Sequence, residues 1–466
     1  MSNSQSKQRT QQTSQEASQA ENRVKPEGML GEPSTDAVNA NDASSKTEHL
    51  MEQVVARENM LAALRRVEQN GGAPGTDGMN VDDLRAHLKG HWESIKAALL
   101  ADRYKPQPVR RVEIPKPDGG VRLLGIPNVV DRLIQQAILQ VLTPIIDPTF
   151  SEQSFGFRPG RSAHDAVRCA QAFIEAGNDW VVDIDLEKFF DRVNHDKLMV
   201  RVWRYVRDKR VLHVIRRYLQ AGALLNGVIV ASEEGTPQGG PLSPLLANIM
   251  LDDLDRYLTE RGHRFCRYAD DCNIYVRSER AGERVMANTC RFLEERLSLK
   301  VNRAKSAVDR PRNRKFLGYS FFRRLGVKLR VSSKSIARFK MRVRELTSRS
   351  NGWGMERRIV ALNRFIRGWA QYYRLAEARS IFEDLDGWLL RRLRQCQWKQ
   401  WKRVRTRFRE LRALKLQEWH VRELAFSRKA YWRIAGGPLN SAMPRTYWKA
   451  RGMIGLRETF ARLSIQ

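Results

Sequence analysis

The sequence has few cysteines, and they are not spaced for metal binding. Its 466 residues include five: Cys169, Cys266, Cys272, Cys290 and Cys396. Since no two of them form a CxxC pair, a zinc ribbon or zinc knuckle is not expected. An odd number of scattered cysteines is typical of reduced thiols, most of them buried.

The sequence also shows no long apolar run and no leader of the secretory type. No stretch approaches the roughly 20 apolar residues that span a bilayer, and the first residues, Met1 to Ser6, are polar. The prediction is a cytoplasmic protein that does not bind a membrane.

Acidic residues are scarce relative to basic ones. There are 52 Asp and Glu against 83 Lys and Arg, a formal net charge of +31, and this balance most often indicates nucleic acid as the partner. Most of the excess lies after Phe321, where basic residues alternate with aromatic ones in a pattern that suits phosphate contact and base stacking. We expect most individual tryptophans there to be helix core and the basic surface as a whole to bind nucleic acid. Eight of the eleven tryptophans lie in this segment: Trp353, Trp369, Trp388, Trp398, Trp401, Trp419, Trp432 and Trp448.

Large apolar residues are almost absent from residues 1–44, which we predict to be a disordered polar tail. Residues 45–104 form a predicted N-terminal helical extension. Ser45 to Glu48 resembles a capping box, and two apolar stripes at helical spacing are separated by the Gly/Pro loop Asn70–Gly78. The stripes are Met60, Leu61, Leu64 and Val67, then Leu84, Leu88, Trp92, Ile95 and Leu99.

Residues 105–325 mix strand and helix signals, whereas strand signals vanish after about 330. The first region predicts a hairpin at 109–126, a strand at 180–186 and a small sheet with helices on one face. Residues 326–412 predict an α-helical module with helices at 336–346, 355–373 and 389–412. Residues 413–466 are predicted to be a basic C-terminal extension that binds DNA.

Tyr268-Ala269-Asp270-Asp271 places two carboxylates between two apolar runs. This pattern predicts a β-hairpin with the acids at its tip, a suitable seat for a hard cation such as Mg²⁺. A solvated turn is the ordinary alternative for this sequence taken alone.

The strand at 180–186 adds further carboxylates. Alternation puts Asp183 and Asp185 on the face opposite Val182 and Ile184, and buried carboxylates are costly unless a cation or strong donor meets them. The Gly/Pro-rich turn Gly235–Pro244 would let backbone approach a ligand closely.

In this order and spacing, these motifs resemble those of the reverse transcriptases encoded within bacterial group II introns, which also act as maturases. The resemblance extends from about 50 to 466. It implies an α+β fold of the right-hand polymerase type, with fingers and palm on a small antiparallel sheet, followed by an α-helical thumb called domain X. The matching segments are Asn70–Gly78, Ile114–Pro127, Phe155–Ser162, Asp185–Asp191, Thr236–Asn248, Tyr268–Asp271, Leu299–Ser306 and Phe316–Ser320.

The resemblance implies RNA-directed DNA synthesis with two Mg²⁺ ions, or Mn²⁺ in their place. Asp185, Asp270 and Asp271 are then the catalytic acids and metal ligands, together with the Leu186 carbonyl. Asp183 is expected outside the ligand set, as a supporting acid or paired with an arginine.

The resemblance also implies the contacts to the deoxynucleoside triphosphate. Lys116 and Arg122 would bind its phosphates, Gln238 would touch the nucleotide, and Phe190 would exclude a 2′-hydroxyl. Lys305 is a candidate general acid toward pyrophosphate.

The implied macromolecular partners are group II intron RNA and a DNA target that supplies the primer. The thumb residues expected to bind nucleic acid are Arg391, Arg392, Arg394, Lys399, Lys402, Arg403, Arg405 and Arg407. Paired cysteines and histidines of an endonuclease domain are missing before Gln466, so the expectation is a protein without that domain.

Two alternatives stay open at this point. One is a splicing-only maturase that binds its intron RNA without copying it. The other is a reverse transcriptase recruited by the host for DNA repair or defence.

Overall fold

The computed structural model describes residues 47–115, 120–225, 228–230, 234–236 and 238–463. The predicted tail at 1–44 and the predicted phosphate contact Lys116 lie outside the described residues, as does part of the Ser45–Glu48 box.

The N-terminal extension is helical, as predicted. It comprises α1 (Leu50–Val55), α2 (Arg57–Asn70) and α3 (Leu84–Leu100). The apolar stripe of α2 is buried except for Leu61, which is exposed. This stripe packs against α4 (Val129–Ile146) and joins the first hydrophobic core.

A small sheet forms the fingers. The hairpin expected at 109–126 is present as β1 (Val109–Pro115) and β2 (Val121–Ile126), which pair antiparallel. Two short strands that the sequence pattern did not reveal, β4 (Ala223–Leu225) and β5 (Val228–Val230), extend it in the order β2-β1-β4-β5.

Within the described residues, one helix meets the length and composition of a membrane span, although polar residues such as Asp131 and Arg132 interrupt its apolar sequence. It covers Val129–Thr149, and 61% of it is buried inside the protein. Because most of its surface meets other parts of the chain, it is accounted for as a core helix.

The palm lies on a four-stranded sheet in the order β6-β7-β3-β8. All of its neighbouring strands pair antiparallel. The strands are β3 (Trp180–Ile184), β6 (Arg264–Tyr268), β7 (Asp271–Val276) and β8 (Ala307–Asp309). The helices of this region are α5 (Ala163–Glu175), α6 (His195–Trp203), α7 (Lys209–Gln220), α8 (Ser243–Glu260) and α9 (Glu279–Arg291), of which α5, α8 and α9 pack on the sheet.

Both faces of the palm sheet are covered, so the prediction of helices on one face is wrong. Val182 and Ile184 point into the first core, while Val181 and Tyr275 belong to a second core that includes α5. The alternation predicted for β3 is therefore confirmed, and the helix that the prediction missed covers the second face.

The thumb begins with a hairpin and continues as helices. The predicted boundary at 325/326 falls in the turn of β9 (Tyr319–Arg323) and β10 (Val327–Val331), which pair antiparallel. Then come α10 (Ser333–Leu346), α11 (Met355–Tyr372), α12 (Arg379–Gln400) and α13 (Val404–Ala413). The single helix predicted at 389–412 is thus two helices, separated at Trp401–Arg403.

The predicted C-terminal extension packs on the thumb and does not have a core of its own. Asp386 on α12 accepts hydrogen bonds from the backbone N–H groups of Leu456 (2.7 Å) and Arg457 (3.0 Å), and Trp448 is fully buried in the second core. Its helices are α14 (Glu418–Ala425), α15 (Tyr431–Gly436), α16 (Pro438–Ala442), α17 (Arg445–Ala450) and α18 (Leu456–Leu463).

Candidate polymerase active site

The Asp-Asp pair lies at the tip of a hairpin, as predicted. Tyr268 and Asp271 are the last pair of the ladder between β6 and β7, so Ala269 and Asp270 alone make the turn. Ala269 has φ of 59°, a left-handed conformation that costs an alanine about 1 kcal/mol. Surrounding contacts must hold the turn in this shape.

Arg267 supplies those contacts from inside the palm. Its side chain and that of Asp255 on α8 are both 0% exposed, and they form a bidentate ion pair with distances of 2.7 Å and 2.5 Å. The guanidinium also donates to the Ala269 carbonyl (2.9 Å), to Asn248 Oδ1 (3.0 Å) and to Ser154 Oγ (2.7 Å). One buried arginine thus ties the turn at Ala269 to α8 and to Ser154, which directly precedes the Phe155–Ser162 segment.

Gly156 lies directly against the same turn. A Cβ atom added there would come within 2.2 Å of the Ala269 nitrogen, and the Gly156 carbonyl accepts a hydrogen bond from Asn248 Nδ2 (2.9 Å). This contact gives a physical reason for glycine at the centre of Phe155-Gly156-Phe157.

Asp185 is held by the Leu299–Ser306 segment. Its backbone N–H donates to Ser306 Oγ (3.0 Å), and its carbonyl accepts from the Asn302 N–H (2.8 Å). Its carboxylate accepts from Asn302 Nδ2 (3.0 Å), with Lys305 Nζ 3.8 Å away. Lys305 is 63% exposed, so it can approach the site from solvent.

Asp183 pairs with an arginine, one of the two arrangements expected for it. Arg314 Nε and Nη2 donate to Asp183 Oδ2 over 2.9 Å and 2.6 Å. This ion pair removes Asp183 from the candidate ligands and leaves the other acids at the site.

The remaining carboxylates repel one another. The pKa of Asp271 is raised to about 8, mainly by burial and also by the negative charges of Asp183, Asp270 and Asp185, while Lys315 opposes the rise. Burial also raises the pKa of Asp270, with Asp185 adding to the effect and Arg122 opposing it. Carboxylates whose pKa is raised by burial and by neighbouring negative charge form a site that a bound cation would stabilise.

The Leu186 carbonyl is not used by the pairing with Val301. In the antiparallel bridge between Leu186 and Val301, hydrogen bonds join the flanking residues, from the Glu187 N–H to the Lys300 carbonyl and from the Asn302 N–H to the Asp185 carbonyl. Leu186 is therefore a non-hydrogen-bonded position, and its carbonyl points away from Val301.

The donor set is chemically suited to a divalent cation but does not form a complete cage. In the part of the chain that the structure describes, no three His, Cys, Asp or Glu side chains lie close enough to hold an ion by themselves. Mg²⁺ is usually held by one or two carboxylates plus substrate phosphates. The site fits that mode, with the substrate expected to complete it.

Three of the predicted nucleotide contacts line one cavity of about 760 Å³: Arg122, Phe190 and Gln238. Arg122 Nε donates to Gln238 Oε1 (2.6 Å), and the Gln238 carbonyl accepts from the Gly125 N–H (2.8 Å). The fingers hairpin and the Gly-rich turn thus meet at this wall.

Phe157 lines the same cavity, although sequence reasoning did not single it out. It has φ of 61° and is 51% exposed, with its ring 6.5 Å from that of Tyr268. An exposed aromatic ring beside the catalytic turn can pack against a base or sugar.

A second cavity, of about 830 Å³, lies where the palm meets the thumb. Asp271 lies on its wall together with aromatic side chains that include Trp369 and Tyr372. The other charged residues on the wall are Lys315, Arg338, Arg342 and Arg364. A groove of positive charge that ends at an acidic site suits a nucleic-acid strand whose end reaches that site.

Two family models match the chain. Residues 114–321 match the reverse transcriptase (RNA-dependent DNA polymerase) family, and residues 336–415 match the group II intron, maturase-specific domain. The chain belongs to the group II intron reverse transcriptase/maturase family. Members of the reverse transcriptase family generally use divalent metal ions.

The similar proteins include protein YkfC of Escherichia coli, 34% identical over 58% of this chain and 81% of YkfC. Group II intron-encoded protein LtrA of Lactococcus lactis is 36% identical over 44% of this chain. That match spans 34% of the length of LtrA. A chain of the solved "Partial Cas6-RT-Cas1--Cas2 complex" is 26% identical over 53% of this chain and 42% of that chain, with a TM-score of 0.35.

Within the maturase-specific domain, the basic residues expected to bind nucleic acid divide into two groups. Lys402, Arg403 and Arg405 are exposed and stay predictions. Arg394 is 5% exposed and donates to the Ala435 carbonyl (2.8 Å) and the Met443 carbonyl (3.3 Å), so its guanidinium is engaged inside the thumb and we do not propose it again as a nucleic-acid contact.

Arg391 and Arg407 also bind the protein's own backbone. Arg391 donates to the Trp432 carbonyl (2.9 Å) and lies over the Trp432 ring. Arg407 donates to the Trp401 carbonyl (3.0 Å) and lies over the Trp398 ring. In both residues, the guanidinium group contributes to packing between helices of the thumb.

The residues that sequence reasoning missed are mostly supports of the acids: Arg267, Asp255, Asn302 and Arg314. Arg267 and Asn302 adjoin or lie within the motifs that carried the resemblance. Asp255 and Arg314 lie outside them, and only long-range packing brings them to the site.

Proposed function

We propose that this protein is the RNA-directed DNA polymerase and maturase of a group II intron. It copies intron RNA into DNA from a primer at the target site, by attack of the primer 3′-hydroxyl on the α-phosphate of a deoxynucleoside triphosphate. It also binds the intron RNA to assist splicing.

One observation carries the polymerase proposal. The acidic turn at Asp270 and Asp271 lies between a cavity that carries Arg122 and Gln238 and a second, cationic cavity at the thumb. A polymerase needs this arrangement, because the triphosphate and the primer end must meet at the acids from two sides.

Two Mg²⁺ ions, or Mn²⁺ in their place, would activate the primer hydroxyl and neutralise charge on the leaving pyrophosphate. Asp185, Asp270 and the Leu186 carbonyl would hold them, with Asp271 as a further acid. The mutual repulsion of these carboxylates supports that assignment, since a cation between them would lower their pKa values.

The protein's own residues then act as fixed positions around the substrate. Arg122 would bind triphosphate oxygens, with Gln238 holding its guanidinium in place, and Lys116 stays a predicted partner. Phe190, 8% exposed on the cavity wall, would leave no room for a 2′-hydroxyl. Lys305, near Asp185, could donate a proton to pyrophosphate.

Primer extension on an RNA template tests the proposal. Asp270→Ala with Asp271→Ala should reduce extension at least about a thousandfold, as expected when transition-state charge loses its stabilisation. Unchanged circular dichroism would show that the variant still folds. The matched control is Glu279→Ala with Glu283→Ala, which removes two exposed acids on α9. Normal extension by the Asp270/Asp271 variant would contradict the proposal.

The maturase part is tested separately by splicing of the intron RNA with and without protein. A splicing-only maturase would promote splicing and fail to extend a primer. A polymerase recruited by the host would extend a primer, and its gene would lack surrounding intron RNA with a terminal catalytic hairpin and bulged adenosine.

A further inference from the structure

Phe190 borders two cavities. One is the cavity of about 760 Å³ that it shares with Arg122 and Gln238. The other, of about 100 Å³, is also lined by Asp191. A ring that borders a cavity on two sides has fewer packing contacts to fix its position, so the backbone that carries it must supply part of the restraint.

The backbone at Phe190 is tied to the start of the Gly-rich turn. Residues Phe189–Asp191 form a single 3₁₀ turn. The Phe190 carbonyl accepts a hydrogen bond from the Thr236 N–H (2.6 Å), and the Val193 carbonyl accepts one from the Gly235 N–H (2.7 Å). Both donors also line the smaller cavity. The Gly-rich turn therefore holds the segment that carries the Phe190 ring.

Gly235 can make this contact because it has no side chain. Its φ is 93°, a conformation that favours glycine. A Cβ atom added there would come within 2.9 Å of the carbonyl oxygens of both Phe190 and Asp191. Since these oxygens belong to the backbone beside the Phe190 side chain, relief of the clash would displace the ring.

His195 fixes Gly235 in turn. This histidine is 5% exposed at the first position of α6, and its Nε2 donates to the Gly235 carbonyl (2.7 Å). Helix α6 packs against α7 and α8, so the imidazole joins the turn to the helical part of the palm. A continuous set of contacts thus runs from α6 through His195 and Gly235 to Phe190.

We propose that Gly235 and His195 are positioning residues for nucleotide selection, which hold the Phe190 ring at the depth where it excludes a 2′-hydroxyl. Among the described residues, those that line the larger cavity include Phe190 but neither Gly235 nor His195, so both act through the ring. The inference rests on the proposed function and adds to it two residues that set the preference for deoxynucleotides.

Gly235→Ala tests the contact with Phe190. Incorporation of one nucleotide is measured with dCTP and with CTP, on an RNA template annealed to a DNA primer, and selectivity is the ratio of the two kcat/KM values. The variant should lower this ratio about tenfold, as expected when the fit around one substrate group is loosened. The ratio does not depend on the fraction of enzyme that is folded.

The matched control is Gly177→Ala. Gly177 has φ of 89°, and a Cβ atom added there would meet nothing within 4 Å. This variant therefore introduces a similar backbone strain without a contact to Phe190. It should keep the selectivity of the parent protein.

Two variants of His195 test the second step. His195→Leu removes the donor to the Gly235 carbonyl and should lower selectivity about fivefold, the equivalent of one lost neutral hydrogen bond. His195→Gln, whose side-chain amide can donate to the same carbonyl, should restore most of that loss. A merely structural role would lower both kcat/KM values together and leave their ratio unchanged.

Phe190→Ala separates this inference from the proposed function. It should lower selectivity by itself, and Gly235→Ala should then lower it no further, because both changes act through one ring. Parent selectivity in Gly235→Ala and His195→Leu, or an equal loss in Gly177→Ala, would overturn the inference and leave Phe190 in its role. Unchanged selectivity in Phe190→Ala would contradict that role and the inference with it, and failure of the proposed polymerase would show as no incorporation by the parent protein.

Discussion

The palm and the thumb hold uncompensated charge of opposite sign. In the palm, the charge of Asp185 raises the pKa of Asp270 and of Asp271, and the charge of Asp270 raises the pKa of Asp271 as well. In the thumb, burial lowers the pKa of Arg392, and the positive charges of Arg344 and Arg349 lower it further. Each region keeps like charges close because neutral or buried partners fix their positions. The charge that the fold leaves without an ion partner thus indicates the kind of ligand that each region suits, cations in the palm and anions in the thumb.

The palm also contains a pair of opposite charges that compensate one another. Arg267 and Asp255 are fully buried and compensate one another, so their role is to hold the turn at Ala269. We therefore expect the charges without an ion partner to be available to ligands, and this buried pair to hold the turn in position.

The largest expected effect comes from breaking that pair. Arg267→Met leaves Asp255 buried without its partner and should lower the free energy of unfolding by about 3–5 kcal/mol, measured by urea denaturation. Because the Ala269 carbonyl loses its donor, kcat for primer extension should fall more than KM changes.

The control is Arg85→Met, which breaks an exposed ion pair with Glu68 and should cost at most about 1 kcal/mol. If both variants lost the same stability, or if Arg267→Met kept normal kcat, the positioning role of Arg267 would be wrong.

A smaller effect is expected at Arg394 in the thumb. Its donors reach the Ala435 and Met443 carbonyls, so Arg394→Met should cost about 2–3 kcal/mol and leave the salt dependence of RNA-hairpin binding unchanged. Lys402→Met, at an exposed position, is the comparison. Loss of salt dependence in Arg394→Met would return this residue to the RNA surface.

The smallest effect concerns an acid outside the catalytic cluster. Burial raises the pKa of Asp131 to about 6, against hydrogen bonds from Tyr104 and Gln107 that lower it. A raised folded pKa means that stability present below pH ~4 is lost as pH rises toward 6 and beyond, on the order of 2 kcal/mol.

Asp131→Asn keeps an acceptor for the Tyr104 hydroxyl, which donates to Asp131 Oδ1 (2.7 Å), and removes the charge. Thermal melts of this variant should lose that part of the pH dependence and lie above those of the parent protein at pH 7. Identical pH profiles would show that burial does not perturb Asp131.

The features that the sequence predicted correctly are those in which neighbouring residues decide the outcome. The hairpin around Asp270, the alternation of Val182 and Ile184 and the helical stripe of α2 all depend on local periodicity. The missed features depend on distant partners. Helix α5 was missed although it covers a face of the palm sheet, and the predicted helix at 389–412 is broken at Trp401–Arg403.

The residues of the candidate site also fall into those that local motifs predict and those that depend on distant partners. The identity and order of the acids, of Arg122 and of Gln238 could be taken from motifs, and the family models agree with the resemblance that those motifs carry. Charge counts along the thumb could not tell Arg394, which binds backbone carbonyls, from Lys402, which is exposed.

The sequence by itself determined the family, the identity and order of the acids and the basic character of the thumb, because motif order and composition are properties of the chain. Only the tertiary structure decided which charges are paired and which are left for ligands. Arg267 forms an ion pair with Asp255, and Arg314 forms one with Asp183. Arg392, by contrast, lies near the like charges of Arg344 and Arg349. Compensation of a charge depends on distance and burial in space, and neither can be read from positions along the chain.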